Sequence, residues 1–163
     1  MADTELFVSL AGVFVGFGAL ISVSSEVHLS AIRENQIRTV VSTGLMVILA
    51  ALIPLGLERY GVSGHSLWLV SSLAILLISW AVIVLALRQK ETRDSALSQA
   101  RSNPFQSAVY WLLLELPIHV SLLLIVLGAN SRLDSAFYLT ALLFNLFQAV
   151  FVLTQFVYAQ ERT

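Results

Sequence analysis

At 163 residues, 58% hydrophobic and only 12% charged, with a mean hydropathy of +0.86, the chain is far more apolar than a soluble domain. Soluble domains of average composition carry about 25% charged residues. Nine Lys and Arg against ten Asp and Glu leave a net charge of −1, so nothing in the bulk charge attracts nucleic acid or an anionic surface. There is no cysteine, which excludes disulfides, thiolate metal sites and a cysteine nucleophile.

Five apolar runs, about 6–24, 39–57, 66–87, 108–128 and 135–158, are each long enough to cross a bilayer as a helix. The expected fold class is all-α: a polytopic integral membrane protein, a five-transmembrane-helix bundle forming one domain over 1–163. The segments after the first, third and fifth runs hold Arg33, Arg38, Arg88, Lys90, Arg93, Arg101 and Arg162, whereas the opposite side holds Arg59 and Arg132. The positive-inside rule then places the N-terminus outside and the C-terminus inside, in a bacterial-type cytoplasmic membrane. Tyr60, Trp68 and Tyr138 fall near the outer interface, and Tyr110, Trp111 and Tyr158 near the inner one. Trp80 lies too deep for an interfacial belt and reads as a packing residue.

The first run carries Ser9, Gly12, Gly16 and Ala19 on one helix face. Gly12-x-x-x-Gly16 is the small-residue pattern that lets two helix backbones approach closely, either between subunits or within one. Ser22-Val23-Ser24 loosely resembles a signal-peptide cleavage site, but Met1–Glu5 has no basic residue, so an uncleaved span is expected. Before the second run, Glu34 stands four residues ahead of Arg38, a helix-supporting pair, and the second helix should begin in this polar segment. That run contains Pro54, and Glu58-Arg59 at its end reads as an interfacial pair. The polar stretch 88–103 reads as a solvated loop or a helical extension.

Asn103-Pro104 provides an N-cap and a first-turn proline for the fourth helix. Within that helix Glu115 and His119 stand four residues apart and share a face, with Pro117 between them. The proline lacks an N–H and displaces the Leu113 carbonyl from its α-helical bond. A charge at the bilayer centre costs roughly 2.5–3.5 kcal/mol or more, so an ionisable pair there points to function. The structural alternative is a neutral, mutually hydrogen-bonded pair that fixes helix packing. The fifth run, capped by Asp134 or Ser135, places Tyr138, Ala141, Asn145, Gln148, Val152, Gln155 and Ala159 in one polar or small stripe. An antiparallel hairpin about 129–134 sets Glu115 level with Gln148 and His119 level with Asn145. Such a stripe is either a wetted pathway or a line of interhelical hydrogen bonds, each worth about 0.6 kcal/mol.

The second and third runs, and the fourth and fifth, also form two hairpins of similar pattern. Each has a proline in its first member, Pro54 or Pro117, and a Leu-Gly near its outer end, Leu55-Gly56 or Leu127-Gly128. A metal centre is not expected, because the topology puts His28 inside, His65 outside and His119 between them. Nor is Glu-x-x-x-His the Glu-x-x-His spacing of di-iron bundles. No catalytic residues or cofactors are assigned. Three functions remain open: an oligomeric ion or proton channel, with Glu115 and His119 as its titratable centre and Asn145, Gln148 and Gln155 lining the route; a non-conducting subunit or scaffold; and a membrane-embedded enzyme. The expected partners are the lipid bilayer and either further copies of the chain or a membrane partner subunit.

Overall fold

The computed structural model describes residues 31–160, together with Ser9, Gly12 and Gly16, which are helical. The rest of the first apolar run, Ala19 and His28 lie outside the described residues. Every regular element from residue 31 onward is helical: α1 (Ala31–Arg59), α2 (His65–Arg88), α3 (Lys90–Ser102), α4 (Pro104–Ala108), a π-helical segment (Val109–Glu115), α5 (Leu116–Val126) and α6 (Asp134–Gln160). Four stretches among them are long and apolar enough to cross a membrane: Val41–Arg59, His65–Arg88, Pro104–Val126 and Asp134–Gln155.

α1 begins eight residues ahead of the second apolar run, so the polar segment with Glu34 and Arg38 is helical as expected. The polar stretch after α2 is also helical, as α3, and Gln89 makes the break between them through its N–H to the Ala86 carbonyl at 3.2 Å.

The chain forms two compact units. One contains α1 and the part of α6 from Leu142 onward; the other covers Gly61–Ala141. In the first, α1 buries Val47, Ala50, Ala51 and Pro54, a stripe at helical spacing. Pro54 sits inside a continuous helix. Leu142, Leu146, Ala149 and Val152 form the buried stripe of α6, with Gln148 buried among the same positions.

The second unit is built on the pairing of α2 with α5. α2 buries Leu67, Ser71, Ser72, Ile75 and Leu76; α5 buries Ile118, Ser121, Leu122 and Ile125. The two run antiparallel, because Ser79 reaches His119 while the start of α2 meets the start of α6 through His65 and Asp134. Ser71 satisfies its hydroxyl by donating to the Leu67 carbonyl at 2.7 Å.

α5 ends because Gly128 adopts φ +65°, which favours glycine. The Gly128 N–H bonds the Ile125 carbonyl and the Ala129 N–H bonds the Leu124 carbonyl, both at 3.0 Å. That pair of bonds is a Schellman cap, and it closes orphan carbonyls at the helix end. Gly56, its counterpart in the other hairpin, lies inside α1 instead. The two Leu-Gly pairs therefore do different structural jobs.

Candidate functional site

The span Pro104–Val126 is a short α-helical start, a seven-residue π-wound stretch and a further α-helix. Asn103 precedes Pro104 as expected, but its side chain makes no capping bond. The π winding ends at Glu115, and the Leu116 N–H bonds the Trp111 carbonyl five residues back. Pro117 falls in the first turn of α5. In an α-helix its ring would meet the carbonyl of Leu113. The wider π turn carries Leu113 and relieves that conflict. π segments of this kind concentrate at functional sites.

Glu115 is the central residue of the 23-residue span, and His119 is one turn further on. Their side chains are only 16% and 13% exposed. His119 Nδ1 lies 3.1 Å from the Glu115 backbone carbonyl and 3.6 Å from Glu115 Oε1. A carbonyl oxygen only accepts, so Nδ1 carries a hydrogen and donates it. The other ring nitrogen, Nε2, lies 3.5 Å from the hydroxyl of Ser79 on α2, at the outer limit of hydrogen bonding. A neutral imidazole accepts from that hydroxyl at Nε2. A protonated one donates to it, because a hydroxyl can turn to serve either role. The cluster therefore keeps its hydrogen-bond partners in both states of the ring.

Trp80, next to Ser79, meets the imidazole edge to face, with ring centroids 5.7 Å apart and planes at 76°. It is 55% exposed, so its packing against His119 leaves about half of its surface open. Tyr138, expected near the outer interface, is 1% exposed and lies against Trp68 with centroids 5.3 Å apart.

Asp134 opens α6 but does not cap it. The first helix bond comes from the Phe137 N–H to the Leu133 carbonyl at 2.8 Å. The Asp134 carboxyl turns to α2 instead, where Oδ2 lies 2.6 Å from His65 Nδ1. Glu58 and Arg59 are exposed, and the ion pairs among the described residues do not include them.

The α6 stripe lies largely inward: Tyr138, Ala141, Gln148 and Val152 are buried, and Asn145 and Gln155 are intermediate. Asn145, Gln148 and Gln155 belong to the unit with α1, whereas Glu115, His119 and Ser79 belong to the Gly61–Ala141 unit. Ser9, Gly12 and Gly16 are exposed, and a Cβ added at either glycine meets nothing within 4 Å. Among the described residues no group of three His, Cys, Asp or Glu side chains converges as a metal site.

These features define a class: a multi-pass, all-helical membrane protein with a polar cluster at the middle of one span. No family model, curated protein or solved structure matches the chain.

Proposed function

We propose that the protein conducts protons across a bacterial-type cytoplasmic membrane as an oligomer, with Glu115 and His119 as its titratable centre. The reading is carried by the exchangeable geometry around His119: Nδ1 toward the Glu115 carbonyl, Nε2 toward the Ser79 hydroxyl, at the centre of an apolar span. One proton can be added to the ring and removed again without orphaning a buried group. Asn145, Gln148 and Gln155 are assigned to the same route on the polar stripe that the α6 sequence carries. An oligomer provides room for that route, because so few short helices leave little space inside one subunit.

The competing reading is a non-conducting subunit or scaffold. It is supported by the same hydrogen bonds, which hold α5 to α2 whether or not a proton moves. Proton-gradient-driven flux in liposomes separates the two. Wild type should conduct, and well-folded Glu115→Gln and His119→Ala should not. A silent wild type, with variants that are merely less stable, favours the scaffold.

A further inference from the structure

A second polar cluster stands at the opposite end of α2 from Arg88. Asp134 is 1% exposed, its Oδ2 lies 2.6 Å from His65 Nδ1, and its Oδ1 is buried without a hydrogen-bond partner. The His65 side chain is 38% exposed. A carboxylate offers about four acceptor positions, and an unpaired buried oxygen is unfavourable while the group is charged. His65 therefore links solvent to a buried acceptor that is short of hydrogen-bond donors.

We propose that His65 and Asp134 form a proton-uptake site that supplies the Glu115–His119 centre. The supply role rests on the proton-conduction reading; the uptake chemistry does not. The neutral ring starts with its Nδ1 hydrogen donated to the Asp134 carboxylate. A proton from solvent adds at Nε2. The Nδ1 proton then passes to Oδ2, leaving a neutral imidazole protonated at Nε2 and a neutral carboxylic acid. One proton has entered, and the buried charge is gone.

The 61–64 turn, α2 from Ser66 to Leu87 and α5 from Val120 to Val126 carry no ionisable side chain. Nearby in the chain stand Glu58 and Arg59, exposed at the end of α1, Tyr60, exposed just after it, Arg132, exposed in the loop, and Tyr138, buried against Trp68. From His65 the α2 face continues through Ser72 to Ser79 in steps of seven residues, so the three share a face about 10 Å apart. Ser72 is fully buried and its Oγ has no hydrogen-bond partner. The polar face thus ends at the hydroxyl that meets His119.

The test uses the full chain in lipid, with infrared difference spectra recorded between alkaline and acid pH. A protonated-carboxyl band should appear on acidification, move with isotope-labelled aspartate, vanish in Asp134→Asn and shift its midpoint in His65→Gln. It should persist in Glu115→Gln. Absence of an aspartate-dependent band overturns the proposal, and the labelled wild type gives that answer even if Asp134→Asn does not fold. In flux, folded His65→Gln should be slower by about a hundredfold, the scale of one lost proton-transfer group. Unchanged flux in His65→Gln overturns the supply role and leaves the conduction reading intact. An Asp134 band in a wild type without flux removes the conduction reading and leaves the uptake site standing.

Discussion

The hydroxyl of Ser79 faces Nε2 of His119 at 3.5 Å, joining α2 to α5 at mid-span. The contact is long for a strong hydrogen bond, yet it is what allows the imidazole to exchange a proton without losing its partner. Ser79→Ala should therefore slow flux while costing only about 1 kcal/mol of stability, the net worth of a typical hydrogen bond. Ser79→Thr, which keeps the hydroxyl, should restore most of the flux. Equal rates in Ala and Thr variants would remove Ser79 from the mechanism.

Trp80 should report the charge of its neighbour. Its ring meets the imidazole edge to face at 5.7 Å, close enough for a protonated His119 to quench its fluorescence. In a protein retaining Trp80 as its only tryptophan, emission should fall on acidification. His119→Gln should abolish that response. A response that survives the substitution points to another quencher.

Two glycines should respond oppositely to alanine. Gly56 lies within α1 with open space around an added Cβ. Gly56→Ala should raise stability by roughly 0.5–1 kcal/mol, the helix-interior penalty of glycine. Gly128 has equally open space but φ +65°. Gly128→Ala should lower stability by about 1–2 kcal/mol, the cost of a left-handed residue with a side chain. Unfolding in detergent followed by circular dichroism measures both, and equal shifts would contradict the cap assignment.

The absence of native cysteine allows a direct measurement of topology. Ser63, Gln89 and Ser131 are exposed, in the turn before α2, between α2 and α3, and in the loop before α6. The distribution of Arg and Lys predicts that Ser63→Cys and Ser131→Cys react with an impermeant thiol reagent from outside. Gln89→Cys should react only after the membrane is opened. The reverse pattern would invert the assigned orientation.

Apolar length made four of the spans legible, since helix type and extent follow from hydrocarbon thickness. The spacing of Glu115 and His119 made their shared face legible, since a four-residue step on a helix always produces one. Ser79 was not legible. A serine in an apolar helix usually satisfies itself on its own backbone, as Ser71 does, and only the partner helix gives Ser79 a role. Asp134 misled for a related reason. At a helix start an aspartate suits the N-cap, but here His65 competes for its carboxyl from another helix. Tyr138 sits at the depth of a belt residue, and the ring of Trp68 draws it inward.

The π-wound stretch Val109–Glu115 amounts to one residue of slack in the span. Each of its rings encloses one residue more than an α turn, so the side chains before and after it are out of phase with a single helical wheel. Removing one residue from this stretch would restore a uniform α-helix and swing the flanking halves against each other by about 100°, the angular step of one residue at 3.6 per turn. The span behaves as two helices keyed together at a fixed angle, and that angle decides which neighbours the carboxyl and the imidazole meet.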